Sequence, residues 1–151
     1  MSLYYEDFTT GVEHVTRGRT ITESDIVTFA GLSGDFVELH TNEEYARQSA
    51  YGKRIAHGLL TLSISSGLMT QMNLVTDTVM AFYGIDKLRF VKAVFIGDTI
   101  HVRKSVVDTM AKSSESGVVT FQTTVLNQHG ETVLVYRDKL VLKKRPAGEA
   151  G

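Results

Sequence analysis

Along this chain the apolar positions change their period once. In the first half they recur at helical spacing, and from Val79 onward they fall into short runs of β-branched and aromatic residues broken by glycine-containing turns. Helix signals in one block and strand signals in the next predict an α+β domain, since alternating βαβ units would interleave them. No internal repeat or linker divides the sequence. A single domain over 1–151 is expected, with a tail that frays from about 146.

The helices are the easier elements to place. After a stretch from Glu13 to Ile21 that reads as a strand, Thr22-Glu23-Ser24-Asp25 offers capping side chains. Ile26, Val27, Phe29, Ala30 and Leu32 follow at the spacing of an amphipathic helix of about three turns, stopping near Gly34. A second, shorter helix is predicted from Thr41 or Asn42 to about Ser49, with Glu43 and Glu44 suited to its positive first turn. The third, from about His57 to Val75, carries Leu59, Leu60, Leu62, Ile64, Leu68, Met69, Met72 and Leu74 on most of its sides. Such a helix is buried, and the small residues Ser63, Ser65, Ser66 and Gly67 let other backbone approach it.

The strands follow. Met80 to Phe90 is one, with a bulge expected at Gly84, and Thr99 to Val107 is the next, turning through Ser113 to Gly117. Val119, Phe121, Thr123 and Val125 alternate with polar neighbours, and Asn127-Gln128-His129-Gly130 turns the chain into a last strand through Val133, Val135, Leu140 and Leu142. A curved antiparallel sheet of about five strands wrapped around the apolar helix satisfies every segment. One layer of strands around one helix leaves open sheet edges, so pairing across a two-fold axis into a homodimer or larger homo-oligomer is expected.

Composition narrows the function classes. With 16 basic and 17 acidic residues and no basic run, the chain lacks the electrostatic footprint of a nucleic-acid binder. It contains no cysteine, which removes disulfides, thiolate metal sites and a cysteine nucleophile. The first residues lack the basic start and apolar run of a secretory signal. Polar residues such as Thr61, Ser63, Thr70 and Asn73 interrupt the apolar stretch from Gly58 to Val75, so no membrane span is predicted and the expected location is cytoplasmic.

The candidate chemistry lies in Gly34-Asp35-Phe36-Val37-Glu38-Leu39-His40. In a continuous helix the Asp35 and His40 side chains would stand about 140° apart, so a loop is expected to bring them together between the first two helices. An unperturbed aspartate has a pKa of about 3.9 and a histidine of about 6.5, so near neutrality one accepts a proton while the other exchanges one. The alternative is that Asp35 caps a turn and His40 packs beneath the second helix.

Three segments, Phe29 to Asp35, Leu39 to Ala46 and Ile55 to Leu60, resemble in order and spacing the MaoC-like dehydratases and (R)-specific enoyl-CoA hydratases of the hot-dog superfamily. A fourth, Leu88 to Thr99, resembles the strand and Gly-Asp turn that follow the central helix in that family. The resemblance implies reversible addition of water to a trans-2-enoyl-CoA to give a 3-hydroxyacyl-CoA, with no metal or other cofactor. It assigns Asp35 and His40 as the base and acid pair, the N–H of Gly58 as oxyanion donor, and Ser66 to the neighbourhood of the water. Ser66 is equally readable as a small residue that lets the sheet close over the helix, and His57 reads as structural.

Two departures from the family pattern stand out. Val37 and Glu38 occupy positions where asparagine and proline are common, so the turn is expected to be shaped differently, with Glu38 pointing into solvent. Ala93 replaces a common proline. Two rival functions remain at this stage, a thioesterase on the same fold and a non-catalytic acyl-thioester binding protein. Against the first, no Asp or Glu lies between His57 and Thr76. Lys53, Arg54, Arg89 and Lys92 are the candidates for holding the phosphates of coenzyme A.

Overall fold

A computed structural model describes residues 1–148. Six strands form one antiparallel sheet, β1 (Glu13–Val15), β2 (Arg19–Thr20), β3 (Val79–Phe90), β4 (Thr99–Ala111), β5 (Ser116–Leu126) and β6 (Thr132–Lys143). Their order is β1-β4-β5-β6-β3, with β2 pairing further along β4. The expected Glu13-to-Ile21 strand is thus divided in two. Thr16 lies between the pieces and closes the gap by bonding, its N–H to the Val102 carbonyl at 2.9 Å and its hydroxyl oxygen to the Val102 N–H at 2.9 Å.

The helices are α1 (Glu23–Ser33), α2 (Glu38–Thr41), α3 (Glu43–Arg47) and α4 (Gly58–Thr70). Thr22 caps α1 in a reciprocal box with Asp25, and Gly34 ends it at φ 78°. Asn42 caps α3, its side-chain oxygen accepting the Tyr45 N–H. The long helix stops at Thr70, short of the expected Val75. Asn73 takes a left-handed φ of 55°, and turns carry the chain to β3.

Helix α4 lies against the concave face of the sheet, with Leu60, Thr61, Ser65 and Leu68 buried. One apolar cluster gathers Leu60 and Leu68 with Ile100, Val102, Val125 and Leu134, and a second gathers Phe8, Val106, Val119, Phe121 and Leu142. Between them the sheet carries polar side chains. The register aligns His14, Lys104, Thr123 and Tyr136 across β1, β4, β5 and β6, and directly opposed residues of an antiparallel sheet share a face. Asp138 joins this row diagonally. It pairs with the Lys104 ammonium and accepts the Thr123 hydroxyl at 2.6 Å, and both charged residues are buried.

At the other end of the sheet β3 leaves an open edge. Its register on β6 shifts at three places, one of them between Phe82 and Gly84, and Met80, Phe82, Tyr83 and Phe90 are exposed. The C-terminal segment is tied back as far as Arg145, whose guanidinium bonds both Asp7 carboxylate oxygens. The rest of the tail expected to fray runs on to 149–151, outside the described residues.

Removing one member of a buried ion pair strands the other's charge. Lys104→Met is therefore expected to destabilise the fold by about 3 to 5 kcal/mol, while Lys104→Met combined with Asp138→Leu costs far less. Urea unfolding of the two variants measures the difference.

Candidate active site

A sharp reversal after α1 builds the site. Gly34 returns its N–H to the Ala30 carbonyl at 2.8 Å, and Ser33 Oγ, itself donating to the Phe29 carbonyl, accepts the Asp35 N–H at 3.2 Å. One Asp35 carboxylate oxygen accepts the Val37 N–H at 3.3 Å in an Asx-type turn. The chain then enters α2, so His40 stands on a single helical turn where a loop was expected. The reversal ahead of α2, and not a loop through all of 35–40, is what brings the two side chains together. Glu38 begins that turn, accepts Asn42 Nδ2–H at 2.9 Å and is exposed.

The segment Ile55-Ala56-His57 runs extended beside this turn. Ile55 N–H bonds the Leu39 carbonyl at 3.2 Å, and Ala56 N–H bonds the Val94 carbonyl at 2.7 Å. His40 Nδ1 lies 2.7 Å from the Ile55 carbonyl, and His57 Nε2 lies 2.9 Å from the Asp35 carbonyl. A carbonyl oxygen only accepts, so each of these ring nitrogens carries its proton. His40 therefore keeps Nε2 for other chemistry. His57, 2% exposed, stacks on His40 with ring centres 3.9 Å apart and meets Phe29 of α1 on its other side at 4.9 Å.

His57 is also the residue before α4, and the first intrahelical bond runs from Thr61 N–H to the His57 carbonyl at 3.1 Å. The N–H groups of Gly58, Leu59 and Leu60 are thus at the positive end of the helix without an intrahelical acceptor. A Cβ on Gly58 would lie 2.7 Å from the Phe90 ring, so only glycine allows that aromatic to sit over the helix start. Asp35, His40, His57, Gly58 and Phe90 all line one cleft of about 960 Å³.

The sequence-derived residues divide between two cavities. Ser66 lies one turn beyond Leu62 on α4, exposed, and lines a second cavity of about 620 Å³ with Leu62, Met69 and Tyr136. Of the basic candidates, Lys53 and Lys92 line the cleft, Lys92 paired with Glu131 and Lys53 lying over the Phe95 ring at 4.4 Å. Arg54 is engaged by Glu23 and Glu43, which hold its guanidinium above its ordinary pKa, chiefly through the Glu43 hydrogen bond. Arg89 donates to the Leu88 carbonyl and is not among the lining residues. Phe90, Phe29 and the Ile55 carbonyl went unrecognised as site components, although all three residues lie in segments that carried the resemblance.

Ligand atoms of Asp35, His40 and His57 lie within 4.8 Å of one another, close enough for one cation to be considered. Both imidazoles already donate to main-chain carbonyls. Their rings are stacked, with planes 28° apart. The set suits proton transfer better than coordination.

Comparison with known proteins bears on the family and the fold. The MaoC like domain model matches residues 8–129. An (R)-specific enoyl-CoA hydratase of Rhodospirillum rubrum is 38% identical over 122 residues, covering 80% of this chain and 79% of that protein. Protein MaoC of Klebsiella aerogenes is 41% identical over 100 residues, 66% of this chain, but these span only 29% of its own length. Among solved structures, a monoamine oxidase regulatory protein from Archaeoglobus superposes with a TM-score of 0.91 at 42% identity, covering 96% of this chain and 97% of that one. A conserved hypothetical protein of Mycobacterium tuberculosis with a double hot-dog fold gives 0.86 at 22% identity over 99% of this chain and 47% of that one, a likeness of fold alone. The sheet curled around α4 is a hot-dog fold, and the chain belongs to the MaoC-like domain family.

Proposed function

We propose that this protein is a hydro-lyase that reversibly adds water to a trans-2-enoyl-CoA, giving a 3-hydroxyacyl-CoA. The observation that carries the proposal is the convergence of Asp35, His40 and the unpaired start of α4 at Gly58 on one cleft. The thioester oxygen accepts the Gly58 N–H, so enolate charge develops against the positive helix end. Water sits between the Asp35 carboxylate and His40 Nε2. One group takes its proton as the oxygen attacks C3, and the other returns a proton to C2 from the same side, which makes the addition syn. (R) stereochemistry follows the named relative.

His57 is a positioning residue in this scheme. Its bond to the Asp35 carbonyl and its stack on His40 hold both partners to one spacing, and Phe29 backs the stack. A thioesterase reading is weaker, because α4 carries no carboxylate to attack or activate. Lys53 is the remaining candidate for a coenzyme A phosphate, since it lines the cleft and has no carboxylate partner among the described residues. No described helix is long and apolar enough to cross a membrane; a cytoplasmic location and a single domain over the whole chain are part of the proposal.

The open edge of β3 supports the further proposal of a homodimer. A strand of this length with exposed Met80, Phe82 and Tyr83 is a template for pairing.

Asp35→Asn and His40→Gln are each expected to lower turnover of crotonyl-CoA by about 100-fold or more, read as loss of the conjugated thioester absorbance, with little change in thermal stability. Release of free thiol in that assay would indicate hydrolysis instead. Gly58→Ala should reduce kcat/KM by roughly tenfold or more by displacing Phe90 from the helix start, and adding Phe90→Leu should recover part of the loss. Sedimentation at micromolar concentration should give a dimer or larger assembly, and Met80→Lys with Tyr83→Lys should shift it to monomer; a monomeric parent protein would remove the edge-pairing proposal.

A further inference from the structure

Asp35 and His40 are delivered by separate elements, and a group outside the cleft joins those elements. Arg54 directly precedes the extended segment Ile55-Ala56-His57 and is not among the residues that line the cleft. Its side chain is only 17% exposed. It meets two carboxylates with two different nitrogens, Nη1 to Glu23 at 2.7 Å and Nε to Glu43 at 2.5 Å. Glu23 is the first residue of α1 and Glu43 the first of α3. A guanidinium suits this task, because its donors leave a rigid plane in fixed and separate directions.

The two helices carry or flank the catalytic pair. Asp35 follows the end of α1, and His40 lies in α2, which Asn42 alone separates from α3. The extended segment grips α1 at both ends. Arg54 holds Glu23 at its start, His57 Nε2–H donates to the Asp35 carbonyl past its end at 2.9 Å, and Phe29 lies against the His57 ring. From Arg54 to His57 the backbone advances about 10 Å beside a helix roughly 16 Å long, so the two side chains reach outward to either end of it.

On the side of α2 and α3 the grip is thinner. Ile55 N–H reaches the Leu39 carbonyl at 3.2 Å, the long end of the range for such a bond. The bond from His40 Nδ1–H to the Ile55 carbonyl, 2.7 Å, belongs to the catalytic histidine itself. The contact of Arg54 with Glu43 is the short, charge-assisted tie, and the same guanidinium carries it across to α1.

Without the guanidinium the pieces stay attached but lose alignment. Glu23 and Glu43, both drawn to one cation, are left to repel one another, and the Ile55 carbonyl shifts from His40 Nδ1. The bond made by one ring nitrogen decides which nitrogen carries the proton, so a displaced carbonyl leaves His40 free to adopt either tautomer. We propose that Arg54 is a positioning residue for the hydration step. By joining α1 to α3 it fixes the spacing of Asp35 from His40 and, through the Ile55 carbonyl, keeps His40 Nε2 as the free lone pair. This inference rests on the hydratase reading of the cleft.

Arg54→Met is expected to lower kcat for crotonyl-CoA about tenfold, since small misplacements of catalytic groups are costly, while KM changes by less than about twofold. Arg54→Lys, which keeps the charge without the fork, should recover part of the rate. Nitrogen NMR of the imidazoles at about pH 8.5, where an ordinary histidine is neutral, gives a reading independent of turnover, with His40→Gln assigning the His40 signals. The parent protein should show one His40 tautomer, protonated at Nδ1, and Arg54→Met a mixture of two. If Arg54→Met does not fold, Glu43→Ala, which leaves the guanidinium on Glu23, supplies the same two readings. A single tautomer retained in the variant, or a kcat unchanged from an active parent, overturns the proposal. So does a rise in KM for crotonyl-CoA that crotonyl-pantetheine does not share, which would make Arg54 a phosphate-binding residue. Absence of hydration in the parent beside a tautomer mixture in Arg54→Met would remove the hydratase reading and leave the positioning of His40 standing.

Discussion

Helix α4 carries a face, Leu60, Thr61, Ser65 and Leu68, that has to be enclosed, while Leu59, Ser63, Ser66 and Gly67 stay exposed on its other side. The enclosure sets the rest of the molecule. A flat sheet covers one side of a helix, so the strands curl, and long antiparallel neighbours β4, β5 and β6 with bulges in β3 and β4 accommodate the curvature. Enclosure also means that the N-terminus of α4 emerges at a defined place, beside the segment from Ile55 to His57 that is pinned to Val94 and Leu39.

That pinned segment turns a packing requirement into a chemical one. Backbone carbonyls of Asp35 and Ile55 need donors, and the two imidazoles supply them in opposite directions, His57 reaching back to the turn and His40 reaching forward to the segment. The exchange locks both tautomers and stacks the rings. It leaves His40 Nε2 free, and His40, Asp35 and Gly58 line one cleft. Val37 and Glu38, in place of the family's common asparagine and proline, do not disturb this, since the αL residue Gly34 starts the reversal and the Asx-type turn uses only the main-chain N–H of Val37.

The concave face of the sheet serves two purposes. Its apolar clusters enclose α4 from Leu60 to Leu68 and fill the region around Phe8 and Phe121. The polar row between them is held by mutual bonds, so nearly every buried donor and acceptor in it is satisfied from within the sheet or from Ser65.

Local chemistry made much of this legible in the residues. Thr22 with Asp25, Gly34 and Asn42 are short-range signals, and the helix starts and stops they predict stand within a residue or two of those observed. Alternation from Val119 to Val125 likewise identified β5, and the order of the segments Phe29 to Asp35, Leu39 to Ala46 and Ile55 to Leu60 pointed to the family. By itself, then, the sequence determined the class of fold, the order of the main helices and strands, and the family. Where side chains meet across long separations was decided only by the tertiary structure. The bond from His57 to Asp35 spans 22 residues and the pairing of Arg54 with Glu23 spans three elements. The row from His14 to Tyr136 exists only because three strand registers align. Helical and strand periods act over a few residues, whereas register, curvature and the enclosure of α4 are properties of the whole chain, and so no local pattern announces them.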